Sequence, residues 1–517
     1  MRGAVAAGHP LTAEAGAEVL AEGGNAVDAC IAAAFVSWVA ESTLTGPGAG
    51  GFMLVHRGRD RSTRVLDHFV TVPGLGLGRR EVAEMDAVDV VFTPESSQAF
   101  RIGAASCAVP GAAAGLGEAH RRFGTLPWRV LLEPAIRHAR EGVVLTKPQA
   151  YLHAILDLIL RHTDEGRVIY GREGERLVAG DRLVMADLAR TLEQLAERGA
   201  ADLYRGELAR LVADHVARGG GAITRRDLAE YRVIQRRPVR VRFLGHEFES
   251  NPPPSAGGLL IGLGASLLDR FGGPAGPPGS AEAIAQVVEI MREQDRARDD
   301  AFARGLHRGG LAGPLFAPQA LAAAARRLRR RLPEAVSGTT HISAVDGRGN
   351  AASLTASTGA GSGVIVPGTG IQLNNMLGEF DLAMTGRLPR PGIRFTSGMA
   401  PTIVLRDGSP RLVVGSAGSL RLRGAIFQII VNVVGQGLDV EEAIHRSRVH
   451  LDGNDVHCEG GNDPAELERL EGWGYELVRW RRRNLYFGGA AGVEFRGDGS
   501  LAAAGDPRRG GHGVVVE

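Results

Sequence analysis

The chain has 517 residues, 44% of them hydrophobic, and carries a formal net charge of +2 at pH 7, with 60 Lys+Arg against 58 Asp+Glu. A charge so close to balance excludes a broad field for nucleic acid or anionic lipid, so a small molecule is the expected partner. The length fits two or three average domains or one enclosed architecture, and the 73 glycines predict many tight turns and close backbone approaches.

The opening MRGAVAAGHPLTAEAG has too short an apolar stretch for a signal peptide. No window reaches the roughly 18 apolar residues of a spanning helix, so no membrane partner and a cytoplasmic location are expected. Thr12 to Ala40 reads as two alanine-rich helices broken at Gly23-Gly24-Asn25, the second apolar all round and therefore buried. Thr45 to Gly51, TGPGAGG, is a glycine loop leading into a strand at Phe52-Met53-Leu54-Val55. It lacks the lysine of a P-loop, so a structural or site-lining turn is favoured over phosphate binding. The cysteines Cys30, Cys107 and Cys458 stand far apart with no CxxC pair and read as buried small hydrophobes.

Helical composition and periodicity cover Gly124 to Gly142, Ala150 to His162 and Arg182 to Ala217. The run Asn251-Pro252-Pro253-Pro254-Ser255-Ala256-Gly257-Gly258 forbids a helix and reads as a rigid loop ahead of a buried helix from Leu259 to Phe271. Leu321 to Leu332 is a basic helix ended by Pro333. It has no aromatic interleaving and reads as a solvated face, so no nucleic-acid partner is expected.

After Pro333 the pattern changes from helices to strands. Thr339 to Val345, TTHISAV, alternates; Asp346-Gly347-Arg348-Gly349-Asn350 is a turn cluster; Ala351 to Ser357 alternates again, giving a β-hairpin. A Thr hydroxyl becomes a useful nucleophile if its own α-amine serves as the base, because that amine has a pKa of about 7.7 to 8.0. An internal Thr has no free amine. The chain must therefore first break between Gly338 and Thr339, and Gly338 offers an unhindered carbonyl for that step.

The segment TTHISAVDGRGNAASLTAS resembles the start of the small subunit of the gamma-glutamyltransferases. HPLTAEAGAEVLAEGGNAVDA, GPGAGGFMLV, PPPSAGG, GIQLNNMLGEF, MAPTIV, GSAGS and GDPRRGG resemble the same family in the same order, from His9 to Gly511. The resemblance implies an α/β fold, the four-layer αββα sandwich of the N-terminal-nucleophile hydrolases. It would be self-cleaved into intertwined fragments 1–338 and 339–517 that form one structural domain and a heterodimer, with no metal or organic cofactor. It also implies a catalytic role for Thr339 as nucleophile, for Ser357 as the hydroxyl that hydrogen-bonds it, and for Gly418 and Ser419 as oxyanion donors. Such donors are worth about 2.7 to 4 kcal/mol each.

The pattern departs from the family around the substrate. Phe69 stands at the place of the arginine that reads a glutamyl carboxylate, and a bidentate arginine is poorly replaced by an aromatic ring. Around the Asn374-Asn375 pair, Met376 and Glu379 stand where the family has Gln and Asp; Gly359 stands where Asn is usual; Thr396 and Ser397 stand for paired serines; and Asp381 to Arg394 is short for a lid. Phe69, Asn375, Met376, Glu379, Thr396 and Ser397 are the candidate substrate-binding residues. The expected activity is attack by Thr339 on a carbonyl of a small amino-acid-derived substrate other than a standard gamma-glutamyl amide. A carbon–carbon bond hydrolase of an alkylproline-type antibiotic pathway, a conventional gamma-glutamyl enzyme and a processed binding protein are the alternatives.

Overall fold

The computed structural model describes residues 2–78, 82–93, 96–328, 339–379, 382, 388–418 and 420–517. Among them, two antiparallel sheets stack face to face. The first runs, edge to edge, through Ile234–Arg236, Ser62–His68, Gly50–Arg57, Ala351–Ser357, Thr340–Asp346, Gly3–Ala7 and His512–Val516. The second runs through Val239–Phe243, His246–Ser250, Thr402–Arg406, Ser409–Ala417, Gly489–Phe495 and Leu501–Gly505.

Three apolar layers separate four layers of structure, as the period of two along each strand requires. Phe52 and Leu54 point between the sheets, where they meet Ile403, Val413 and Val493. Their neighbours Met53 and Val55 point outward onto Ile31, Phe35 and other residues of the helix Ala26–Ala40. On the far side, Val404, Leu412 and Val414 pack beneath the helices Gly257–Arg270, Ala281–Arg296 and Leu420–Ile430. The αββα sandwich expected from the sequence is present.

Local expectations are met where periodicity and capping agree. Every residue of Ala26–Ala40 is buried, and Asn25 caps it in a reciprocal box with Asp28, which satisfies amide donors that the first turn leaves free. The expected hairpin forms, with Thr340 opposite Ala356 and Val345 opposite Ala351. The three cysteines are free and buried. Arg182 to Ala217 is not one helical stretch: a short strand, Arg182–Leu183, precedes helices Ala186–Arg198, Asp202–Arg205 and Glu207–Arg218. Gly199, at φ +76°, ends the first of these helices, and Gly206 separates the other two. The basic helix is described as Pro318–Arg327 with Leu328 at its C-terminal cap; the rest of that run, 329–332, with Pro333, lies outside the described residues. No helix among those described is long and apolar enough to cross a membrane.

Candidate active site

Because Thr340 pairs with Ala356, continuing the antiparallel register sets Thr339 beside Ser357 at the mouth of the hairpin. Both line one cleft together with Phe69, Gly359, Met376, Glu379, Leu382, Ser397, Gly398, Met399 and Leu422. The tertiary fold thus gathers Thr339, Ser357, Phe69, Met376, Glu379 and Ser397 around one space. Met399, Leu382 and Leu422 were not anticipated; nothing marks them in sequence beyond their being apolar.

Two other expected contacts stand behind the wall. Asn375 Oδ1 accepts from Ala360 N at 2.9 Å and its Nδ2 donates to Arg101 O at 3.3 Å, while Thr396 Oγ1 donates to Leu382 O. Neither residue lines the cleft; each holds a loop that does. Gly359 has φ +72°, and a Cβ there would lie 2.1 Å from Asn375 Oδ1 and 2.8 Å from Glu379 Oε1. Its glycine identity is what lets both side chains fold against the loop. Glu379 Oε1 accepts from Ala360 N at 3.2 Å, which turns the carboxylate toward the Gly359 loop.

The polyproline loop, expected to be rigid, packs against the same wall. Ser255 Oγ donates to the carbonyls of Ser397 at 3.1 Å and Met399 at 2.8 Å. A Cβ on Gly257 would meet Gly398 O at 2.1 Å. The glycine loop before Phe52 is structural: Gly48 and Gly51 each lie against a neighbouring carbonyl, with a Cβ only 2.1 Å from Gln372 O and 2.2 Å from Thr355 O.

Gly418 adopts φ +118°, a region glycine reaches without penalty, and its carbonyl accepts from Arg421 N at 3.0 Å. Leu422, in the first turn of Leu420–Ile430, lines the cleft, so this helix presents its N-terminal end to the site. Ser419, Gly338 and most of 380–387 lie outside the described residues, so the expected second oxyanion donor, the expected scissile bond and the segment expected to be short for a lid are not placed.

The histidine after the two threonines is a strut. His341 bonds Thr355 Oγ1 at 2.8 Å and Ser343 Oγ at 3.0 Å, and a Cβ on Gly415 would sit 2.3 Å from its Nδ1. Burial lowers its pKa from 6.5 to about 3, so the ring stays neutral and takes no proton from Thr339 at ordinary pH. Two charged residues that sequence reading missed flank Thr339 instead. Arg509 Nη1 donates to Thr339 O at 2.8 Å, and Glu41 Oε2 accepts from Thr340 Oγ1 at 2.6 Å. Arg509 lies inside the quoted GDPRRGG motif, and Glu41 ends a buried helix; those positions were the available signals.

Arg394 approaches Phe69 but does not serve the cleft. It is buried, donates to the carbonyls of Phe69, Asp67 and Arg232 and to Tyr231 Oη, and pairs with Asp67 through Nε at 3.1 Å. Four hydrogen bonds and this ion pair tie it to the backbone around Phe69 and to Tyr231 and Arg232. Among the described residues, no group of three or more His, Cys, Asp or Glu side chains could hold a metal ion.

An αββα sandwich with Thr339 and Ser357 at the mouth of one hairpin defines the N-terminal-nucleophile hydrolase class. The chain belongs to the gamma-glutamyltranspeptidase family, whose model matches residues 12–516. It is 30% identical over 541 residues to the glutathione hydrolase proenzyme of Escherichia coli, covering 98% of this chain and 90% of that protein. It is 32% identical over 533 residues to the Acylase ACY 1 proenzyme of a Pseudomonas species, covering 100% and 94%. The crystal structure of cephalosporin acylase from Bacillus halodurans superposes with a TM-score of 0.85 at 24% identity, covering 100% of this chain and 96% of that one. The protein is therefore a hydrolase or transferase of the N-terminal-nucleophile type.

Proposed function

We propose that the chain cleaves itself between Gly338 and Thr339, giving fragments 1–338 and 339–517, and that Thr339 then attacks an amide whose acyl part is apolar and not gamma-glutamyl. In the precursor, Thr339 Oγ adds to the Gly338 carbonyl carbon and the C–N bond breaks as the Thr339 nitrogen gains a proton. Water then hydrolyses the ester, leaving a Gly338 carboxylate and a free α-amine. In the mature site that amine takes the Oγ proton while Oγ bonds the substrate carbonyl carbon. The proton passes to the departing amine, and water repeats the attack on the acyl-enzyme. Gly418 and Ser419 N–H groups serve the oxyanion and Ser357 holds the nucleophile's hydroxyl.

The observation that carries the substrate class is the wall opposite Thr339. Phe69 stacks on Phe52 with centroids 5.5 Å apart and an interplanar angle of 16°; Met376, Met399, Leu382 and Leu422 complete an apolar surface. No described residue of that lining is a cation, and Arg394, the nearby guanidinium, is committed elsewhere. A glutamyl α-carboxylate entering this cleft would lose water without gaining a cation to pair it, and would share the cleft with the Glu379 carboxylate. The relatives include both a glutathione hydrolase and an acylase, and the apolar wall favours the acylase-like reading.

The test is a pair of chromogenic anilides. Phenylacetyl-p-nitroanilide is expected to exceed gamma-glutamyl-p-nitroanilide in kcat/KM by at least about tenfold, the effect of roughly 1.4 kcal/mol of differential transition-state binding. The reverse order overturns the substrate assignment, and an uncleaved chain in an active preparation overturns the mechanism.

A further inference from the structure

Behind the nucleophile, the fold opens two glycine passages. A Cβ on Gly489 would lie 2.3 Å from Arg509 Cδ and 2.7 Å from its Nε; a Cβ on Gly8 would lie 2.3 Å from Glu41 Oε2 and 3.2 Å from Thr340 Oγ1. Through the first passage Arg509 reaches the Thr339 carbonyl. Through the second, Glu41 reaches Thr340 and also accepts from Thr12 Oγ1 at 2.8 Å. Two long side chains, the Arg509 guanidinium and the Glu41 carboxyl, thus grip the two residues of the Thr339-Thr340 peptide from buried positions.

We propose that Arg509 is a positioning residue that fixes the Thr339 main chain and keeps the liberated α-amine in its neutral, base-competent form. The proposal rests on the reading of Thr339 as a self-liberated nucleophile. Covalent geometry places an α-nitrogen within about 3.6 Å of its own carbonyl oxygen, so the bonded guanidinium stands within about 6.5 Å of the amine. A like charge at that range, shielded from water, disfavours the ammonium form. The same hydrogen bond restrains ψ of Thr339 and hence where its amine sits relative to Oγ.

The other charges around the site leave this effect standing. Asp506 is paired with Arg448 at 2.7 Å and Arg508 at 3.0 Å. Arg421 lies with its guanidinium carbon 4.1 Å from the centroid of the Tyr486 ring and adds to the positive field. Glu379 is turned to the Gly359 loop, and His341 is neutral. Glu41 is the remaining carboxylate; burial favours its neutral form against the opposing hydroxyl bonds and Arg509. Burial brings Arg509 down only to about 10, so it is cationic at neutral pH.

The experiment needs no substrate. The self-cleaved full protein is acetylated with trace acetic anhydride across pH 5 to 9, and labelling of the Thr339 α-amine is read by mass spectrometry of the small fragment's N-terminal peptide. In the unmodified protein the amine is expected to titrate below about pH 7, against about 7.7 to 8.0 for an ordinary α-amine; titration at or above that range overturns the proposal. Arg509→Gln keeps a donor but no charge and is expected to raise the midpoint by about one pH unit, and Arg509→Lys to leave it within about 0.3 unit. Gly489→Ala, which displaces the same guanidinium from outside, is expected to raise it as well. An unchanged midpoint in Arg509→Gln or Gly489→Ala overturns the charge role. Absence of any fragment beginning at Thr339 in the unmodified protein instead sinks the nucleophile assignment.

Discussion

Gly489 and Arg509 are matched surfaces: the hydrogen of the glycine is replaced by a would-be methyl only 2.3 Å from Arg509 Cδ, so the strand Gly489–Phe495 can admit the arginine only without a side chain at its first residue. Gly489→Ala is expected to lower stability by about 1 to 3 kcal/mol, the cost of overpacking a buried contact. Urea unfolding of the self-cleaved protein measures it. A cost below about 0.5 kcal/mol would show that the arginine moves aside freely.

Thr339→Ala removes the attacking oxygen and is expected to leave a single chain of full length on a denaturing gel. Thr339→Ser retains an oxygen at the same place and is expected to yield both fragments. The small fragment's first residue, read by terminal sequencing, fixes the scissile bond; any first residue other than 339 contradicts it.

Phe69→Arg gives the cleft a cation, which a gamma-glutamyl substrate can pair and an apolar acyl group cannot. Its kcat/KM for gamma-glutamyl-p-nitroanilide is expected to rise about tenfold, mainly through KM, while that for phenylacetyl-p-nitroanilide falls. No change in the ratio would detach Phe69 from acyl selection.

Arg394→Met tests whether the nearby arginine is structural. Removing it leaves Asp67, a buried carboxylate 3.1 Å from Arg394 Nε, with one partner fewer. A loss of about 3 to 5 kcal/mol is expected, with the ratio between the two anilides unchanged in whatever protein remains folded. A shifted ratio at full stability would return Arg394 to the substrate.

Acid should unfold the protein through its buried histidines. Burial, assisted for His68 by Arg394, lowers His68 and His341 to about 3. Below about pH 6.5 the unfolded rings bind protons that the folded ones refuse, so stability present above 6.5 is lost as pH falls toward 3. The loss is about 1.4 kcal/mol per pH unit for each ring. His68 is fully buried beside Arg394, and His68→Leu is expected to reduce the acid slope of unfolding free energy between pH 6 and 4 by about one proton. An unchanged slope would mean that the ring already titrates in the folded state.

Much of the site was legible because its parts are local. The Thr339 to Ser357 hairpin declared itself through alternation and a turn cluster, and its mouth became the cleft. Asn375 and Thr396 read as cleft residues because the resemblance carries its Asn-Asn and paired-serine motifs onto them; in the fold their side chains bond the Ala360 and Leu382 backbone instead. Arg182 to Ala217 read as helical because composition outweighed the two glycines that interrupt it.

Periodicity in the sequence determined the hairpin and the buried helix at Ala26–Ala40, since it records which face of each element is apolar, while the ordered motifs determined the family and, through that resemblance, the layering of the fold. Only the tertiary structure decided that Glu41 and Arg509 meet one dipeptide from opposite ends of the chain, that His341 braces two sheets, and that Arg394 is committed before any substrate arrives. Periodicity states that a face is buried and is silent on its partner. A charged residue's role is set by that partner, through desolvation and the groups within hydrogen-bonding reach.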